Sequence, residues 1–169
     1  MNIVVDRKTT GSLWKEEDLA VLTFSLNGEL FAIAATLVRE IIDVVAETSV
    51  PGARNFVGSV INFRGRVIPL TDIRLAFGME ATQTTIDSRI IVIEIDIDGE
   101  PTLLGVRTDK VHEVTSLQRS RGEPPPSIGM RWRADFIECL VKRDGEFVIV
   151  PNLFAIYAHG RPPRQFNQS

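Results

Sequence analysis

A chain of 169 residues with 44% hydrophobic content carries enough apolar surface for one domain of usual size or two tightly joined lobes. Its net charge of −3, from 19 basic and 22 acidic residues spread along the whole length, leaves no electrostatic footprint for nucleic acid or an anionic membrane. The lone Cys139 excludes an internal disulfide, the opening MNIVVDRKTT is too poor in apolar residues for a secretory signal, and Glu94 and Asp96 interrupt even the richest apolar run, "IIVIEIDI". A cytoplasmic protein with protein partners is expected.

Residues 1–18 are polar, hold the acidic Glu16-Glu17-Asp18, and are expected to form a flexible tail. "VLTFSLNGELFAI" then places Asn27-Gly28 between alternating apolar runs, a hairpin signal, and a short helix is predicted from Thr36 to about Val44. A second hairpin turns at Arg64-Gly65. It is followed by a helix from Thr71 to Phe77, with Thr71 as its cap, Asp72 in its first turn and Gly78 as its stop. "IIVIEIDIDGEPTLLGV" gives a third hairpin at Asp98-Gly99. Residues 116–134, "SLQRSRGEPPPSIGMRWRA", read as a polar, Pro-rich loop. A fourth hairpin at Asp144-Gly145, a helix from Pro151 to Tyr157 and a flexible tail over 159–169 complete the chain. The folded part, 19–158, is mainly β.

These signals repeat. "NGEL" followed by "LVREI" returns as "DGEP" followed by "KVHEV", so that Val38, Glu40 and Ile41 match Val111, Glu113 and Val114. Further on, "FVGSV" at 56–60 returns as "FIECL" at 136–140. At that same offset Gly65, Val67, Ile68, Asp72 and Ile73 match Gly145, Phe147, Val148, Asn152 and Leu153. Two similar β lobes follow, roughly 19–88 and 89–158, with strands free to cross between them, and the 116–134 loop is an insertion in the second copy. Apolar positions in excess of what two small barrels can hold predict a third apolar layer where the lobes meet.

The repeat also isolates a polar pair. In "VINFRGRVIPLTDIR" Asn62 and Arg64 stand beside the turn, whereas "LVKRDGEFVIVPNLF" has Lys142 and Asp144 there. A hairpin of this shape does not need Asn-x-Arg, so both residues read as surplus to the fold and available for binding. The competing reading pairs Arg64 internally with Glu40 or Asp72. Val38 and Glu40, matched in the second copy, read first as structural.

Catalytic chemistry has no visible seat. His112 and His159 lack the spacing or the cysteines of a metal site, and no Gly-rich phosphate loop is present. Cys139, in the apolar "FIECLV", reads as a small core residue, and Asp96 and Asp98 as a solvated strand end. Arg119, Arg121, Arg131 and Arg133 around Trp132 form a basic cluster best explained as a solvated loop. No catalytic residue, cofactor or metal is expected.

"LVREI", "FVGSVINFRGRVIPLTDIR", "LLGVRTDKVHEV", a Pro-Pro stretch and "FIECLVKRDGEFVIV", in that order, resemble the CheW-like domain family from about Leu19 to Tyr157. The central Asn-x-Arg-Gly-x-x-x-Pro-x-x-Asp-x-Arg run is the specific part. The resemblance implies two SH3-like five-stranded β-barrel lobes with a few short helices. It also implies a stand-alone, non-enzymatic adaptor that couples chemoreceptor cytoplasmic tips to the regulatory domain of the histidine kinase CheA, held at membrane receptor arrays through its partners. The receptor-facing residues it implies are Val38, Glu40, Ser59, Asn62 and Arg64; it assigns no kinase-contact residue. Ser59 and Cys139 stand where the family pattern has Gly, and Thr108 where it has Val, which bears on receptor choice. The alternatives are an adaptor of a twitching or developmental chemosensory pathway, or a small-ligand or catalytic β protein with Cys139 or the Arg64 region as its site.

Overall fold

The computed structural model describes residues 17–51, 57–125 and 134–159. Arg131, Trp132 and Arg133 of the basic cluster, and most of both expected tails, lie outside these residues. The first half of the chain holds β1 (Asp18–Leu26), β2 (Glu29–Ala34), β3 (Val38–Asp43), β4 (Thr48–Ser49), β5 (Val57–Phe63), β6 (Arg66–Thr71) and the short helix α1 (Ile73–Ala76). The second half repeats the series as β7 (Arg89–Ile97), β8 (Glu100–Thr108), β9 (Lys110–Gln118), β10 (Gly122–Glu123), β11 (Ile137–Arg143), β12 (Glu146–Pro151) and α2 (Leu153–His159).

Two six-stranded sheets result, and each takes strands from both halves. One runs β10-β11-β12-β2-β1-β9 and the other β3-β7-β8-β6-β5-β4. Replacing each strand by its repeat equivalent turns one order into the other. The chain therefore passes between sheets twice, through a 3-10 turn at Ala35–Leu37 and again through Asp109, the one residue between β8 and β9.

Alternation along the strands produces three apolar layers. Ile61, Phe63, Ile68, Leu70, Ile90 and Val92 fill one lobe, joined by Ile42 and Val44 from its far edge, so this sheet curls into a barrel. Val21, Ala32, Leu117, Val141, Val148 and Val150 fill the other. The opposite faces of the same strands meet between the lobes: Leu22, Phe24, Phe31 and Ile33 from one sheet lie with Ile91, Ile93, Ile95 and Val106 from the other, sealed by Ile73 and Phe77 of the α1 region and Ile156 of α2. Strands such as β7 are thus buried on both faces, which is why "IIVI" shows no polar alternation.

Several expected elements are revised. Residues 38–43 form a strand, not part of a helix from Thr36 to Val44; helical spacing of its apolar residues gives way to pairing with β7, and only the Ala35–Leu37 turn is helical. Thr71 remains in β6, and the cap of α1 is Asp72, whose carboxylate accepts the Arg74 amide at 3.2 Å. Pro151 likewise ends β12, and Asn152 caps α2 by accepting the Ala155 amide at 3.1 Å. The 116–134 insertion shrinks, because residues 116–118 finish β9 and 122–123 form β10.

Candidate functional site

All four hairpins have a two-residue turn with both central residues at positive φ: Asn27-Gly28, Arg64-Gly65, Asp98-Gly99 and Asp144-Gly145. That geometry suits Asn or Asp followed by Gly, since a short polar side chain tolerates the left-handed region. Arg64, at φ 50°, breaks the rule. A long side chain held there costs on the order of 1 kcal/mol that Asn or Asp would largely avoid, so turn formation does not account for the arginine.

Asn62 does have a local duty. Its side-chain oxygen accepts the Gly65 amide at 3.0 Å, as Asp96 accepts the Gly99 amide at 2.7 Å in the third hairpin. Asn62 is therefore not surplus to the fold; it closes its own turn while remaining exposed.

Arg64 reaches across the barrel seam to β3, where Nε donates to Glu40 Oε1 at 3.1 Å and the guanidinium forms an ion pair with the same carboxylate. The guanidinium carbon also lies 5.6 Å from the Phe63 ring centre. With the Arg64 side chain 70% exposed, the pair orients the guanidinium more than it stabilises the protein. The other lobe closes the same seam with Arg143 and Glu113 at 3.3 Å, its arginine one position earlier, on the strand. Glu40 and Glu113 match in the repeat because each anchors such a seam. Asp72, the other candidate partner, is taken by Arg74.

Of the residues singled out in the sequence, the structure brings Glu40, Asn62 and Arg64 together. Val38 stands just beyond a bulge in β3, half-buried against the central layer. Ser59 lies apart, five positions along β5 from Arg64, about 16 Å of extended chain. It is buried, and its hydroxyl donates to Glu47 Oε2 at 2.5 Å while Arg107 Nη2 donates to Glu47 Oε1 at 2.6 Å. The Ser59 hydrogen bond, helped by Arg107 and opposed by partial burial, holds the Glu47 carboxyl below its usual pKa.

Thr108 is buried with its hydroxyl donating to the Arg89 carbonyl at 3.0 Å, so it fills its position without an orphaned polar group. Cys139 is half-buried beside Gly122, with Sγ 3.5 Å from where a Cβ on that glycine would lie. Burial, with Glu138 adding to it, pushes the thiol up to about 12, which keeps it protonated and a poor nucleophile. Arg119 and Arg121 are exposed in a 3-10 turn, and His112 hydrogen-bonds Ser25. Among the described residues no three His, Cys, Asp or Glu side chains converge as a metal site, and no helix is long and apolar enough to cross a membrane.

Sequence reasoning missed one cluster. Arg74, its side chain 1% exposed, makes a two-pronged pair with Asp72 at 2.8 and 2.7 Å. Its Nη1 donates to Asp109 Oδ1 at 2.9 Å and Asn27 Oδ1 at 3.3 Å, and also to Thr82. These hydrogen bonds, those of Asp72 foremost, raise the guanidinium pKa further. The signal was present in the Asp-x-Arg of the central motif, opposite an apolar Phe154 in the repeat.

Two interlocked β-barrels, one presenting an arginine-bearing hairpin anchored to the neighbouring strand, define a two-lobed β scaffold. Residues 20–161 match the CheW-like domain. Among curated relatives, "Chemotaxis protein CheW" of Bacillus subtilis is 30% identical over 138 residues, 80% of this chain and 85% of that one. Its Rhizobium meliloti namesake is 25% identical over 137 residues, 81% of this chain and 86% of that one. The crystal structure of scaffolding protein TtCheW from Thermoanaerobacter tengcongensis superposes with a TM-score of 0.73 at 30% identity, covering 86% of this chain and 92% of that one. The chain belongs to the CheW-like domain family, non-enzymatic scaffold proteins of chemotaxis.

Proposed function

We propose that this protein couples the cytoplasmic tips of chemoreceptors to the regulatory domain of the histidine kinase CheA, and that it works in the cytoplasm at membrane receptor arrays. The Arg64 hairpin carries the reading: a long cation occupies a left-handed turn position that the other three hairpins give to Asn or Asp, and it is held exposed by Glu40. Such a guanidinium offers a planar fork of donors to a receptor helix, with Val38 supplying an apolar neighbour and Asn62 fixing the turn beneath it. Ser59 contributes from the far end of the barrel, through its hold on Glu47. Surfaces outside this receptor face remain for the kinase, which lets one small protein hold two partners on separate surfaces.

Arg64→Ala tests this. Binding to a receptor-tip assembly should weaken by about 1–3 kcal/mol, as for a charge-assisted contact losing its donor, while binding to the kinase regulatory domain and the melting temperature hold. Equal loss of both affinities with a lowered transition would make the hairpin scaffold, and the receptor surface would then lie elsewhere.

A further inference from the structure

The central layer that joins the lobes is apolar, and apolar contact does not by itself fix an angle. Two polar features span the junction among the described residues: a buried hydrogen bond of 2.9 Å between the hydroxyls of Thr71, in β6, and Tyr157, in α2, and a larger charged cluster. Arg74 follows β6 of one sheet; Asn27 sits in the β1–β2 turn of the other; Asp109 is the single residue on which the chain crosses between them. Asp109 gathers all three elements. One oxygen accepts from Arg74 at 2.9 Å and from the Thr82 hydroxyl at 3.1 Å, the other accepts the Asn27 amide at 2.7 Å, and its own amide donates to the Ser25 carbonyl at 3.0 Å. The Asn27 side-chain amide also donates to the Glu80 carbonyl at 2.8 Å.

Among the described residues the arrangement occurs once. At the equivalent place in the other half Arg74 is replaced by Phe154, and the crossover corresponding to Asp109 is the Ala35–Leu37 turn, with no carboxylate. Beyond the single Thr71–Tyr157 hydrogen bond, a twofold-related pair of lobes thus has one hydrophobic seam and, among the described residues, one charged clasp without a counterpart in the repeat. Directional hydrogen bonds, here converging on the buried Arg74 side chain and the partly exposed Asp109, specify geometry where apolar packing tolerates small sliding movements.

From this we infer that Arg74, Asn27 and Asp109 form a lobe-to-lobe latch that fixes the angle between the two barrels, and so between the surfaces they present. Arg74 and Asp109 are positioning residues. Their removal leaves each barrel folded but lets one rock on the other.

The test is a distance distribution between spin labels at Asp43 on one barrel and Lys142 on the other, both exposed, in a Cys139→Ala background. Asp109→Ala removes the shared acceptor and leaves the Arg74–Asp72 pair within its own lobe; Arg74→Lys keeps the charge, but a single ammonium nitrogen cannot span the four partners Asp72, Asp109, Asn27 and Thr82 that the guanidinium fork reaches. Each should broaden the distribution roughly twofold, the mark of lobes sliding on a packed seam. Unchanged widths, even with a lowered melting temperature, would overturn the latch and leave a stabilising strut. Should neither variant fold, hydrogen exchange of the unsubstituted protein decides. Asn27 and Asp109 amides that open together, below the energy of either barrel core, support the latch, and opening only with global unfolding refutes it.

Discussion

The β5–β6 and β11–β12 hairpins are the same object twice: two-residue turns at φ 50° and 51°, strands at one offset, and an arginine–glutamate pair across each seam. They differ in where the arginine sits. In one lobe Arg143 occupies an ordinary strand position and Asp144 takes the left-handed turn; in the other Arg64 is itself in the turn. Closing the barrel needs only the first arrangement. The second thrusts a guanidinium past the end of the strands, at a backbone cost that closing the barrel does not require.

The largest expected effect separates the halves at Arg74 and Phe154. Arg74→Ala strands Asp72 and Asp109 beside a buried cavity and should cost about 3–5 kcal/mol in denaturant unfolding. Phe154→Ala, at a half-buried position, should cost less, and an equal cost would deny the asymmetry. Next come the turns. Arg64→Asn should stabilise the protein by about 0.5–1 kcal/mol by relieving the left-handed arginine, less whatever the exposed Glu40 pair contributes, while receptor binding falls. Asp144→Arg should destabilise by a similar amount. A melting temperature lowered by Arg64→Asn would mean that its ion pair outweighs the strain.

The smallest effects concern Ser59 and Cys139. Glu47, its pKa depressed in the folded state chiefly by Ser59, contributes stability that is present above its unfolded pKa and is lost as pH falls through its folded one. Ser59→Ala should raise the folded pKa toward the unfolded value and shrink that acid-side dependence, seen as a flatter stability–pH curve in the acid range. Cys139, with its thiol near 12, should resist alkylation at pH 8 in the native protein and react normally once unfolded. Fast native labelling would show that the Gly122 pocket does not shield it.

The hairpins and the duplication were legible because Asn-Gly and Asp-Gly turns between alternating runs are local signals, and so was the third apolar layer, from the surplus of apolar strand positions. The strand at 38–43 was not. Leu37, Ile41 and Val44 fall at helical spacing, and only pairing with β7, about fifty residues away in sequence, decides the matter. The site divided along the same line. Arg64 stood out by failing to match its repeat, whereas Asn62 looked equally free because Lys142 stands opposite; its hydrogen bond to Gly65 has its precedent in a different hairpin, at Asp96. Asp109 escaped notice because its importance lies in joining Asn27 and Arg74, which a linear reading does not bring together.

Because β7 and β8 lie in the middle of a sheet whose other strands all come from the first half, that sheet stays split until residues near 108 exist. The companion sheet waits longer, for β12, whose parallel pairing with β2 links residues 148–149 to 30–31. During synthesis the first seventy or so residues therefore emerge with open β edges and no complete barrel to enter, and rapid folding of an N-terminal unit is closed to this chain. One barrel can close only when residues near 108 have emerged and the other only when β12 follows, so for much of its synthesis the chain carries unpaired strand edges.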